Sequence, residues 1–112
     1  MNASPGDTPT AEVGEANFQT EVLKSSQPVL VAFWAPWSRP CQILHSVLTE
    51  VASACAGRVK VVQVNADNNP DLSLLYEIQS IPTLLYFVDG NARARIVGTA
   101  SKEAIIAKLQ KC

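Results

Sequence analysis

This sequence has no large excess of charge of one sign, no long apolar run and no cluster of cysteines. Nine lysine and arginine residues stand against ten aspartate and glutamate residues, which gives a formal net charge of −1. Because no basic run concentrates this charge, the chain lacks the electrostatic features of a nucleic-acid or membrane-surface protein. No stretch approaches the roughly 20 apolar residues that span a bilayer. We therefore expect neither nucleic acid nor a membrane as a partner.

The cysteines are few, odd in number and widely spaced, at Cys41, Cys55 and Cys112. They do not form the framework of a disulfide-rich domain, and with the single histidine, His45, they show no zinc-ligand spacing. The sequence therefore predicts reduced thiols, no metal and no cofactor. Cys55 is expected in the core, Cys112 is expected to be exposed, and His45 is expected at the solvent edge rather than as a base or ligand.

The first ten residues are polar and rich in proline and small side chains. They lack the charged start and apolar run of a secretory signal, so a cytoplasmic protein is expected. Such a composition buries too little apolar surface to order itself. We predict a flexible tail over residues 1–10 and one domain over residues 11–112.

Beyond the tail, segments with helical and strand periodicity alternate. The apolar pattern predicts strands over 29–34, 59–64, 83–88 and 93–97, with Asp89-Gly90 as a hairpin turn. It predicts helices over 17–25 with Asn17 as N-cap, over 39–56, after Asn69-Pro70, and from Ser101. This order predicts an α/β layer architecture with mixed strands.

Two short motifs make the sequence specific. Residues 33–41 read Phe-Trp-Ala-Pro-Trp-Ser-Arg-Pro-Cys at a strand-to-helix junction, and about forty residues later comes Ser80-Ile81-Pro82-Thr83. The first resembles the Trp-Cys-Gly-Pro-Cys active site of the thioredoxin family, and the second resembles that family's cis-proline loop. The resemblance covers roughly residues 18–109. It implies the thioredoxin fold, a central mixed β-sheet flanked by helices on both faces.

Three positions depart from the family pattern. Ser38 stands where the family has its attacking cysteine, Ala32 where it buries an aspartate for proton transfer, and Gln63 where it has a lysine near that aspartate. A hydroxyl cannot form a disulfide and is a poor nucleophile without a neighbouring base. A buried carboxylate without a task is costly. The three changes together favour natural loss of dithiol chemistry over an engineered Cys→Ser substitution at Ser38 alone.

The resemblance also implies a surface that receives proteins or peptides in extended form, pairing with the residue before the proline. The substrate-binding residues expected here are Trp37, Arg39, Pro40, Ile81, Pro82 and Gly98, whereas Trp34 is expected in the core. The first hypothesis is a polypeptide-binding domain without conventional dithiol turnover.

The alternative hypothesis is a monothiol thiol–disulfide oxidoreductase in cell redox homeostasis. It would use Cys41 as the catalytic thiol and form a mixed disulfide with a protein or with glutathione. Two interpretations of Cys41 therefore stay open, a small buried residue and a reactive thiol. Ser38 is open between a helix N-cap and a hydroxyl that tunes the thiolate.

Overall fold

The computed structural model describes residues 10–109. The expectations of a flexible tail and of an exposed Cys112 fall on residues 1–9 and 110–112, outside the described residues. The strands are β1 (Ala11–Glu12), β2 (Val29–Trp34), β3 (Lys60–Asn65), β4 (Thr83–Val88) and β5 (Asn91–Val97). The α-helices are α1 (Arg39–Ala54), α2 (Pro70–Leu75) and α3 (Lys102–Lys108), and a π-helical turn covers Gln19–Leu23.

The strands form one mixed sheet in the order β1-β3-β2-β4-β5. β3 runs parallel to both β1 and β2, while β4 runs antiparallel to β2 and to β5. The predicted α/β class with a central mixed sheet is confirmed. The register places Glu12 of β1, Gln63 of β3 and Ala32 of β2 opposite one another. Side chains opposite each other on adjacent strands share a face, so these three line one row across the sheet.

Two apolar clusters cover the two faces of the sheet. Leu30 and Ala32 of β2 pack with α1 and α3 on one face, and Val31 and Phe33 pack with the π-helical turn and α2 on the other. β2 is apolar at every position because both of its faces are covered. This central strand carries the start of α1, and with it the candidate site, on a rigid support.

The first predicted helix is wrong in type and extent. The structure has the π-helical turn Gln19–Leu23 in place of a helix over 17–25, and Asn17 does not cap it. The side-chain oxygen of Asn17 accepts instead from the Gly14 amide at 2.8 Å, which holds the turn before it. Val22 is the buried residue of this segment, so one side chain anchors it.

The hairpin turn at Asp89-Gly90 is confirmed. Asp89 has φ +52° and Gly90 has φ +80°, so both central residues are left-handed. This is the geometry of a type I′ turn, whose twist matches that of the flanking strands. It joins β4, which is central, to β5 at the edge of the sheet.

Candidate functional site

Ser38 is the N-cap of α1. Its backbone is extended and its Oγ accepts a hydrogen bond from the Cys41 amide at 3.3 Å. Arg39 and Pro40 follow as the first two helical residues. A backbone N–H at this position has no partner within the helix, so proline costs the helix no hydrogen bond there. The N-cap interpretation of Ser38 is therefore confirmed, and the residue is 4% exposed.

Cys41 lies in the first turn of α1 and is 6% exposed. It is a free cysteine. His45 follows one helical turn later and is exposed, as expected. Cys55 is fully buried in the core, as expected, but it is disulfide-bonded, so the prediction of a reduced thiol is wrong there.

An open groove of about 520 Å³ lies on one side of the α1 start; we call it the Trp37–Ile81 groove. Trp37 is 69% exposed, and its Nε1 donates to Asp67 Oδ2 at 2.7 Å. That bond fixes the indole at the groove wall while leaving its ring open to solvent. The lining residues are Trp37, Ser38, Arg39, Pro40, Ala66, Asp67, Ile78, Gln79, Ser80 and Ile81.

The other two predicted binding residues, Pro82 and Gly98, do not line this groove. The Ile81–Pro82 peptide bond is cis, Pro82 is buried, and its carbonyl accepts from the Gly98 amide at 2.8 Å. Within residues 10–109, the amide and carbonyl of Ile81 have no hydrogen-bond partner. Pro82 and Gly98 thus hold the loop by a backbone hydrogen bond, and Ile81 is the residue of this loop that lines the groove beside the proline.

A second cavity of about 570 Å³ lies on another side of the α1 start, and we call it the Glu12–Cys41 cavity. Cys41 lines this cavity and is not among the lining residues of the groove. Trp34 is only half-buried, so its predicted core position is wrong: its Nε1 donates to Glu12 Oε2 at 3.0 Å. The lining residues are Thr10, Glu12, Trp34, Cys41, Gln42, His45 and Gln63.

The polar groups of this cavity include three that the sequence did not single out, Thr10, Glu12 and Gln42. Partial desolvation by the surrounding protein raises the pKa of Glu12 above 4.5, and the hydrogen bond from Trp34 opposes that rise. Gln63 is 7% exposed and its Nε2 donates to Thr10 Oγ1. Among the described residues, no partner binds the Gln63 amide oxygen. A carboxyl group therefore lies in the same row as Ala32, two strands away.

Residues 10–109 hold no cluster of histidine, cysteine, aspartate and glutamate suited to a metal ion. Over the same range, no helix has both the length and the apolar character that crossing a bilayer requires. The arrangement at the α1 start is therefore a capped helix with one thiol, between a groove and a cavity.

Comparison with known proteins agrees with this fold. The family model for thioredoxin matches residues 9–111. The chain is 46% identical over 101 residues to "Thioredoxin 1" of Synechococcus elongatus, covering 90% of this chain and 94% of the relative. It is 44% identical over 101 residues to "Thioredoxin 1" of Nostoc sp., with the same coverage. "Thioredoxin" of Mycobacterium bovis is 42% identical over 100 residues, covering 89% of this chain and 86% of the relative. The chain belongs to the thioredoxin family.

Proposed function

We propose that this thioredoxin-family domain binds polypeptides in extended form in the Trp37–Ile81 groove and does not turn over protein disulfides by a dithiol mechanism. The observation that carries the proposal is the backbone of Ile81, which has no hydrogen-bond partner within residues 10–109, on the same groove as the exposed ring of Trp37. An extended segment can pair its backbone with such groups while an aromatic surface receives a side chain. Arg39 and Asp67 on the groove wall add one charge of each sign.

The absence of dithiol turnover follows from the chemistry of residue 38. Thiol–disulfide exchange between two side chains needs two sulfurs, and Ser38 supplies an oxygen. Its hydroxyl is buried and accepts from the Cys41 amide, so it serves the helix start. Trp37, Arg39 and Pro40 around it keep the groove wall intact. Loss of the nucleophile and retention of the groove are therefore compatible.

Substitution of the groove aromatic tests the proposal. Trp37→Ala should weaken binding of a fluorescein-labelled, reduced and carboxymethylated insulin B chain by about tenfold, since buried interface tryptophans commonly contribute 1–2 kcal/mol or more. Fluorescence anisotropy of the full chain measures the Kd. The matched control is Ile43→Ala, because Ile43 is 60% exposed on α1 and lies outside the groove lining. Equal affinities in wild type and Trp37→Ala, or an equal loss in Ile43→Ala, would contradict binding in this groove.

A monothiol oxidoreductase is the second candidate, and one observation favours it. Cys41 is free, and although it is largely buried it lines a cavity. A single thiol can form a mixed disulfide with a protein or with glutathione and then depends on an outside thiol for release. This candidate requires that activity with an outside thiol disappear in Cys41→Ala.

A further inference from the structure

The Glu12–Cys41 cavity has features that the groove lacks. Cys41 is only 6% exposed, and it is one of the residues that line this cavity. Glu12 and Gln63 are opposite each other in the β1–β3 register, which places both on the face that α1 covers. The cavity thus joins a carboxyl group, an amide oxygen and a thiol at one site.

The remaining groups of the cavity indicate the charge of a suitable ligand. Its lining contains one carboxyl, Glu12, one imidazole, His45, and no lysine or arginine. Gln63 as a residue is 7% exposed, and its amide oxygen accepts no hydrogen bond from the described residues. A half-buried indole, Trp34, forms part of the wall. A carboxylate, an amide oxygen and an aromatic ring together are suited to an ammonium group, which donates three hydrogen bonds and is attracted to ring faces.

We propose that the Glu12–Cys41 cavity binds low-molecular-weight disulfides that carry an ammonium group, and that these form a mixed disulfide with Cys41. The ammonium group binds at Glu12, Gln63 and Trp34, and the disulfide lies towards Cys41. The proposal names a substrate class for the chemistry of Cys41. No residue that lines the Trp37–Ile81 groove also lines this cavity. Disulfide binding in the cavity and peptide binding in the groove can therefore be tested separately.

The chemical step is thiol–disulfide exchange. Cys41 gives its thiol proton to solvent, and its Sγ attacks one sulfur of the ligand. An S–S bond forms between Cys41 and that half of the ligand, while the ligand's own S–S bond breaks. The other half leaves as a thiolate and takes a proton from solvent. The ligand disulfide is the oxidant, Cys41 is oxidised, and an external thiol is needed to restore it.

Charge selectivity in the modification of Cys41 tests the proposal. The full chain is treated at about pH 7.5 with cystamine, with neutral bis(2-hydroxyethyl) disulfide, or with dianionic dithiodiglycolate. Each rate is divided by that of a synthetic peptide of residues 36–45, which removes intrinsic reactivity. Digestion after glutamate, without reductant, locates the adduct, because cleavage after Glu21 and Glu50 separates Cys41 from Cys55. Trypsin would leave the two together, since Arg39 precedes Pro40.

We expect the normalised rate for cystamine to exceed that for dithiodiglycolate by about tenfold or more. Glu12→Gln should reduce this ratio about fivefold, as expected for loss of one partly exposed charge pair. The matched control is Glu50→Gln, which removes an exposed carboxylate of α1 outside the cavity. Glu12→Lys should invert the preference.

Three results would overturn the proposal. They are equal normalised rates for the three disulfides, the same ratio in Glu12→Gln and Glu50→Gln, or modification of Cys41 only after unfolding. The wild-type chain provides a test that depends on no variant. Raising the salt concentration to about 0.5 M should lower the cystamine rate relative to that of the neutral reagent, and an unchanged relative rate would contradict binding of the ammonium group at Glu12.

Discussion

Ser38 combines two properties at the start of α1. Its oxygen accepts the Cys41 amide hydrogen bond that a helix N-terminus otherwise leaves unmade, and it cannot enter a disulfide. Serine at an N-cap is worth roughly 1 kcal/mol over alanine. The residue therefore caps the helix that carries Cys41 and offers no sulfur for a disulfide at this position.

The substitution Ser38→Cys tests separately how far the missing sulfur at residue 38 and the residues around it limit disulfide reduction. We expect no catalysed insulin reduction by the wild-type chain with dithiothreitol, and measurable reduction by Ser38→Cys. The variant should stay about tenfold or more below a dithiol thioredoxin assayed in parallel, because Ala32, buried among apolar side chains, accepts no proton. Turbidity of the insulin B chain reports the rate.

The control for that experiment is Ser38→Cys combined with Cys41→Ala, which lacks a resolving thiol and should turn over little insulin. Efficient reduction by the wild-type chain would refute the loss of dithiol chemistry. A full rate in Ser38→Cys would show that Ala32 and Gln63 do not limit the reaction.

Among the elements, the β4–β5 hairpin has a turn that leaves no room for a side chain at its glycine. A Cβ added to Gly90 would lie 2.9 Å from the Leu23 carbonyl oxygen, and its φ of +80° is left-handed. Gly57 has a similar φ of +83° with nothing within 4 Å of the corresponding position. A side chain would therefore face the same unfavourable backbone conformation at both glycines, but it would clash with a neighbouring atom only at Gly90.

Substituting both glycines by alanine measures the steric contribution. Gly57→Ala should lower the free energy of unfolding by about 1 kcal/mol, the usual cost of a left-handed alanine. Gly90→Ala should lower it by about 2 kcal/mol or more, because backbone of the π-helical turn must also move. Urea denaturation at about 25 °C gives both values. Equal losses would mean that the contact with Leu23 relaxes without cost.

How far the sequence predicts each element depends on how much apolar pattern the element carries. β2 and β4 are buried on both faces, so continuous apolar runs mark them. β1 has two exposed residues, and two residues cannot show an alternating pattern. Before the π-helical turn, Asn17 accepts a hydrogen bond from the Gly14 amide instead of capping the turn, a contact that no periodicity reveals.

The two sides of the candidate site differ in the same way. Ser38 and Ile81 of the groove belong to motifs that can be read from the chain itself. The cavity was not predicted, because Glu12 and Gln63 come together through the register of β1 on β3. Strand register depends on packing between distant segments, and one polar residue in a short strand does not indicate it.

For the whole molecule, the raised pKa of Glu12 makes stability depend on pH. Well below pH 4.5, the ordinary pKa of a glutamate, this carboxyl is protonated in both the folded and the unfolded chain. As the pH rises, the unfolded chain loses the proton first, so the stability associated with Glu12 is lost as the pH passes through its folded-state pKa. Glu12→Gln should therefore gain stability relative to wild type between about pH 4 and pH 7.

Urea denaturation across that range checks the direction, with Glu50→Gln as the control for removal of one negative charge. A constant difference between Glu12→Gln and wild type would show that desolvation of Glu12 has no effect on folding. A difference of opposite sign would mean that the hydrogen bond from Trp34 to the ionised carboxylate outweighs desolvation.

The serine at the start of α1 has a last consequence, which concerns when the groove is available. In a motif with two cysteines, the wall formed by residues 37–41 alternates between a bridged and an open covalent state as the surroundings become oxidising or reducing. With Ser38 in place that bridge cannot form, so this segment has no bridged state at any redox potential. A polypeptide held at Trp37 and Ile81 would meet the same unbridged wall in an oxidising compartment as in a reducing one. Occupancy would then follow the concentration of the partner, and the 38–41 pair would contribute no redox control.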